Sequence, residues 1–174
     1  MTTIPASRPV QPTLPAPRPT APRRASRGGA APVASRRGAL ARFDADQADL
    51  QRAEALLARA RAAQASDPRS AFELTHRAAL RGAGVLVTRA NRERRRKLPL
   101  NVWTALDRLG GPARERAEQI HELVRERDRL DRDPAARPDP ELLRRHLHDT
   151  SAHLARVREE ILSDLPAAMV ALSG

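Results

Sequence analysis

From Asp44 onward the larger apolar side chains recur at steps of three and four residues, and the breaks in that spacing are marked by prolines and glycines. A period near 3.6 lays one apolar stripe along a helix, whereas strands need alternation of period two or runs of Val, Thr and Tyr, which the chain lacks. The pattern predicts an all-α antiparallel bundle of about five helices. The first, over residues 46 to about 65, places Leu50, Ala53, Leu57 and Ala60 on one stripe. Ser66, Asp67 and Pro68 give a start signal for the second, which runs to about residue 95 with Phe72, His76, Ala79, Ala83, Leu86 and Ala90 in line. Gly82 and Gly84 weaken this helix but allow a neighbour to come close.

Pro99 interrupts the pattern, and Val102, Trp103, Leu106 and Leu109 then make a short third helix closed by Gly110 and Gly111. Pro112 opens a fourth, with Ala113, Ala117, Ile120, Val124 and Leu130 inward. After a loop holding Pro134 and Pro138, Asp139 before Pro140 opens a fifth, whose stripe is Leu143, Leu147, Thr150, Leu154, Val157 and Ile161. Pro166 ends it. The core is thus built largely from Ala and Leu, and close helix approach has to replace aromatic bulk.

Residues 1–43 do not share this patterning. They hold eight prolines, eight arginines and no acid, and too few large apolar side chains to offset the entropy of ordering. The expected organisation is a disordered basic tail over 1–43, a helical bundle over 44–165 and a short tail over 166–174. Setting the tail's eight arginines aside lowers the net charge from +11 to +3, and residues 91–97 alone carry +4. The rest of the bundle is therefore close to neutral. Positive charge gathered on one tail and one short run suits transient contact with a polyanion better than a broad binding face. With 31 arginines and one lysine, the chain also has the residue usage of a GC-rich coding sequence, which accounts for the tail equally well.

Cysteine is absent, so disulfides, thiol catalysis and thiolate metal sites are excluded. No apolar run reaches the length of a signal sequence core or a membrane span, and the expectation is a cytoplasmic protein with no membrane partner.

The succession "DPRSAFELTHRAALRGAGVLV", then "RERRRK", then "NVWTALDRL" resembles the small actinobacterial proteins of the HEPN superfamily, over residues 48–165. The resemblance implies an all-helical, frequently dimeric bundle. In catalytic members it implies a metal-independent ribonuclease with an Arg-x4-6-His motif near the fourth helix, gathered across the dimer. Arg116 and His121 fit that spacing, and an Arg fork that grips phosphate beside a His that moves protons is suitable chemistry.

Three features favour packing over catalysis for this pair. In so arginine-rich a chain the spacing arises by chance, and it recurs between Arg69 and His76. Catalytic members place a polar residue after the Arg, where this chain has Ala117. Residues five apart on one helix also point about 140° from each other. His121 is then expected to border the apolar stripe beside Ala117 and Val124, with Glu118 as a hydrogen-bond partner, while Glu115, Glu118, Glu122 and Glu126 repel phosphate.

On the fifth helix His146, Asp149 and His153 have metal-compatible spacing but are expected to be half-buried polar groups, since structural metal sites draw on more than one element. His76 is expected at the core edge and Trp103 as a core anchor. No metal or cofactor is called for. Arg92, Arg94, Arg95, Arg96 and Lys97 form the candidate nucleic-acid contact, although a solvated helix end would use the same residues. The combined reading is a non-catalytic HEPN-like interaction module with weak, sequence-independent RNA contact. Its alternatives are an Arg116–His121 endoribonuclease working across a homodimer and a protein-binding adaptor.

Overall fold

The chain between Pro32 and Pro68 contains no proline and is rich in Ala and Arg, both strong helix formers, so one helix can run through all of it. The structure, a computed structural model, describes residues 33–163, with side chains from residue 37 onward. The remainder of the expected basic tail (1–32) and the short tail at 166–174 lie outside the described residues. Five helices make up the regular structure among them: α1 (Val33–Ala63), α2 (Pro68–Glu93), α3 (Val102–Leu109), α4 (Gly111–Arg132) and α5 (Pro140–Ser163). The all-α bundle expected from the apolar spacing is the observed fold.

Two boundaries differ from expectation. Helix α1 begins at Val33, thirteen residues before Asp46 and inside the segment assigned to the tail. Apolar periodicity registers only the buried part of a helix, and most of the side chains between 37 and 45 are exposed. Helix α2 stops at Glu93, because Arg94 turns to an extended conformation and Asn91 captures the chain that follows, through Leu98 N–H to Asn91 Oδ1 at 2.8 Å.

The junctions follow from local chemistry. Helices α1 and α2 form an antiparallel hairpin, tied at the turn by Asp67 N–H to Ala63 O (2.8 Å) and capped by Asp67 accepting from Ser70 N–H (3.0 Å). Asn101 caps α3 from Thr104 N–H, and Gly110 and Gly111, both at positive φ (78° and 53°), turn the chain straight into α4. Arg69, in the first turn of α2, donates to Leu130 O (2.6 Å) and Asp133 O (2.9 Å) and so closes the carboxyl end of α4. Asp139 opens α5 by accepting from Leu142 N–H at 2.7 Å. Helix α5 runs antiparallel to α1, with Arg61 bonded to Ser151 near one end and Arg158 paired with Glu54 further along.

The core is rich in small residues: Ala53, Ala60, Ala71, Ala78, Ala79, Ala83 and Ala105 are all fully buried. Close approach is most evident at Gly82, where an added Cβ would lie 2.4 Å from Leu154 Cδ2 and 3.3 Å from the His153 ring. Gly84 faces open space instead. No described helix is long and apolar enough to cross a membrane.

Asp46 stands at the head of the α1 stripe, four residues before Leu50, and is buried. Its carboxylate accepts from Arg92 Nη1 (2.7 Å) and Nη2 (2.5 Å) and from Arg89 Nη1 (3.1 Å), while Arg89 Nη2 also donates to Glu160 O (2.7 Å). The carboxylate thus joins α1 to α2, and Arg89 extends the link to α5. Removing it takes the buried carboxylate away from two partly buried guanidinium groups, so Asp46→Ala is expected to lower the unfolding free energy by about 2 kcal/mol in urea titrations at neutral pH. A loss below about 0.5 kcal/mol would mean that water replaces the carboxylate without cost.

Candidate functional site

Helix α4 has few apolar residues, so its orientation is decided by which of them can reach the core. Ala117, Ile120, Leu123 and Leu130 are buried, and the stripe they define carries Arg116 inward at its head, four residues before Ile120. Val124 and Ala113, expected inward, are only half-buried. The helix is therefore turned toward Arg116 and Leu123, and His121 falls on the exposed side rather than beside the apolar stripe. Glu118, the partner expected for His121, is paired with Arg114.

Arg116 has the largest of the fully buried side chains, at 1% exposure. Its Nη2 donates to Thr150 Oγ1 (2.9 Å) and its Nη1 to Gln119 Oε1 (3.3 Å), while Nε has no partner among the described residues. No carboxylate lies within ion-pair range of it there. Burial pulls the guanidinium down to about 10, against some support from the charge of Asp149, so it stays protonated at neutral pH.

Three histidines share this region. His146 and His153 on α5 and His76 on α2 are all buried, at 0%, 3% and 4% exposure, deeper than the half-buried and edge positions their spacing suggested. Thr150 Oγ1 lies 3.2 Å from His146 Nδ1. The hydroxyl oxygen accepts from Arg116, and either donates its proton to Nδ1 or accepts a second hydrogen bond from it, according to the His146 tautomer. The His146 ring packs against Phe72 (centroids 5.3 Å apart) and His76 (6.0 Å), and His76 stands edge-on to the half-buried Trp103 at 6.1 Å. His76 Nδ1, His146 Nε2 and His153 Nε2 find no hydrogen-bond partner among the described residues.

The electrostatics of the cluster have one sign. Burial first, and the Arg116 charge second, push His146 and His153 down to about 3, and burial with the charge of Arg127 also lowers His76. All three imidazoles are neutral at physiological pH. Among the described residues, no group of three or more His, Asp or Glu side chains is gathered as a metal ion requires, so His146, Asp149 and His153 do not converge.

The basic run is divided between two roles. Arg92 is engaged with Asp46, and Lys97 Nζ donates to Asn91 O at 2.5 Å, so both serve the end of α2. Arg94, Arg95 and Arg96 are exposed, and no side-chain hydrogen bond or ion pair ties them down among the described residues. Elsewhere, a cleft of about 220 Å³ between α2 and α4 is lined by Arg69, Phe72, Glu73, Arg77 and Arg127. Within it Glu73 pairs with both Arg77 and Arg127 at 3.0 Å, and Arg69 donates to backbone carbonyls at the end of α4.

The sequence reading missed Arg116 and Asp46 as core residues. In both cases the available signal was a charged residue in register with an apolar stripe, four positions ahead of its first large member. A family model for the SAV_6107-like HEPN domain matches residues 62–158, from the end of α1 to most of α5. No curated protein and no solved structure matches the chain.

Two outcomes follow from the cluster. His146 and His153 have folded values near 3 against about 6.5 unfolded, so the unfolded chain binds more protons between those limits. Stability is complete above pH 6.5 and falls as pH drops toward 3, each histidine contributing up to about 1.4 kcal/mol per pH unit within the window. Urea midpoints followed across this range should fall less steeply for His153→Leu, and an unchanged pH slope would contradict the assignment. Arg116→Met should leave the melting temperature the same or raise it, because an apolar chain of similar reach replaces a cation with no carboxylate partner. A loss above about 2 kcal/mol would reveal a counter-charge.

Proposed function

Because this chain belongs to the SAV_6107-like HEPN family, we propose that it acts as a HEPN interaction module that makes weak, sequence-independent contact with RNA through Arg94, Arg95 and Arg96, and that it does not cleave RNA with Arg116 and His121. The observation that carries this reading is where the charges lie. Arg116 is enclosed in the bundle and donates to Thr150, while His121 is exposed. Cleavage needs the guanidinium fork on the scissile phosphate and the imidazole within hydrogen-bond reach of the proton it moves. To reach a substrate, Arg116 would have to leave the core and vacate the volume of its own side chain.

Around His121 the exposed Glu118 and Glu122 are paired with Arg114 and Arg145, so the motif histidine stands in a surface of mixed charge. Arg94, Arg95 and Arg96 instead offer adjacent cations without the structural duties of Arg92 and Lys97. Contact limited to phosphate holds nucleic acid in place but reads no sequence.

Gel shifts with a mixed-sequence RNA at two salt concentrations test the reading. Binding should appear at low salt, weaken by roughly an order of magnitude or more at the higher concentration, and fall sharply in the Arg94→Ser, Arg95→Ser, Arg96→Ser triple variant. RNA incubated with the protein in EDTA should stay intact. Cleavage that disappears in both Arg116→Ala and His121→Ala would replace this reading with the endoribonuclease. Absence of RNA binding at low salt, with a protein partner retained in its place, would leave the adaptor.

A further inference from the structure

The α1–α2 hairpin sets the register of one end of the bundle. Asp46 is level with Arg89 and Arg92, so α1 continues past the end of α2 by most of the thirteen residues before Asp46, roughly 15 Å at 1.5 Å per residue. This overhang leaves the bundle where Arg94, Arg95 and Arg96 follow the last turn of α2. On the α1 helix, Arg42 lies one turn beyond Asp46 and about 40° from it in azimuth, on the side that faces α2. Arg37 lies about 180° from Asp46, on the opposite side. Both arginines are exposed. The topology therefore adds Arg42, and not Arg37, to the arginine run, a grouping that their separation of some fifty residues in sequence conceals.

Resting on the RNA-contact reading above, we infer that Arg42 on the α1 overhang and Arg94, Arg95 and Arg96 beyond α2 form one composite site for the phosphate backbone of a nucleic-acid double helix. Charge complementarity carries the inference. On α1 and α2 at this end the exposed acids are Asp44 and Glu93, which the four arginines, without an ion pair among the described residues, outnumber, and the exposed Glu159 and Glu160 belong to α5. The preference for a duplex follows from what the surface offers to bases. Single strands are held by stacking on exposed aromatic rings, and Phe43, Phe72 and Trp103, the aromatic residues of the described chain, are all buried or half-buried. A surface of guanidinium groups alone reads backbone charge and spacing, and a duplex presents phosphates at higher density than a single strand.

Fluorescence anisotropy with the full chain tests the site, using labelled duplex RNA and duplex DNA of about 20 base pairs and single-stranded RNA of the same length over a salt series. Both duplexes should bind at least about threefold more tightly than the single strand. Arg42→Ser should weaken duplex binding by about three- to tenfold and reduce the salt slope by about one, and Arg37→Ser should change neither. Equal effects of the two substitutions, or tighter binding of the single strand, would overturn the inference. If the Arg94–Arg96 triple variant loses binding while Arg42→Ser behaves as wild type, the RNA-contact reading stands and the composite site falls. If no probe binds at low salt, both fall. If duplex RNA binds and duplex DNA does not, the backbone-charge account is overturned in favour of contacts to the 2′-hydroxyl. Thermal melts of both exposed-site variants should coincide with wild type, so a loss of binding cannot be assigned to misfolding.

Discussion

A core built from alanine fills space only if something longer closes the gaps, and in this bundle much of that filling is done by polar side chains. Arg116 occupies more buried volume than Phe72, and His146 and Thr150 stand with the leucines and isoleucines among the largest fully enclosed residues. The chain has one Trp and two Phe, so it lacks the aromatic bulk that usually serves this purpose. The helices approach closely at Gly82, where the His153 ring and Leu154 fill the space a side chain would need, and Arg116, His76 and His146 take up buried volume elsewhere in the core. These groups are held by geometry and by a short chain of hydrogen bonds from Arg116 through Thr150 to His146.

The two buried charges do different work. Asp46 is neutralised by two guanidinium groups and gains several charge-assisted hydrogen bonds, so it fixes how α1 meets α2 and, through Arg89, how α5 joins them. Arg116 has no carboxylate within ion-pair range among the described residues, and its charge adds to burial, the larger cause, in keeping His146 and His153 unprotonated. An arginine and histidines in one place suggest phosphoryl chemistry when read from a sequence. Here the arginine is enclosed, the histidines are neutral, and the motif histidine, His121, is on the outer surface. The exposed arginines, Arg94, Arg95 and Arg96 beyond the end of α2 among them, are not used by the core.

Much of the architecture was legible in the sequence because it depends on local signals. Asp67 and Asp139 cap the helices they were expected to open, and the stripes Leu50–Ala53–Leu57–Ala60 and Leu143–Leu147–Leu154–Val157 are buried as their spacing requires. The amino-terminal reach of α1 was not legible, since its first turns follow from backbone propensity and bury little. The orientation of α4 was misjudged for a related reason. Ala113, Ala117, Ile120 and Val124 make an acceptable stripe, but Leu123 fills more space in this core than Ala113, and turning the helix to bury it carries Arg116 inside. That outcome depends on Thr150, a residue thirty-four positions away that accepts from the guanidinium, and pairings of that range leave no periodic trace. The division of the basic run into structural and free members is non-local in the same way, because it rests on Asp46.

The account stands on the enclosure of Arg116, and arginine-selective labelling of the native protein with phenylglyoxal, read out by peptide mass mapping, tests it most directly. Arg94, Arg95 and Arg96 should be modified early, while Arg116 should remain unmodified until the protein is unfolded by denaturant. Modification of Arg116 in the native protein at the rate of those three would show that its guanidinium is presented to solvent, and the core role assigned to it would be wrong.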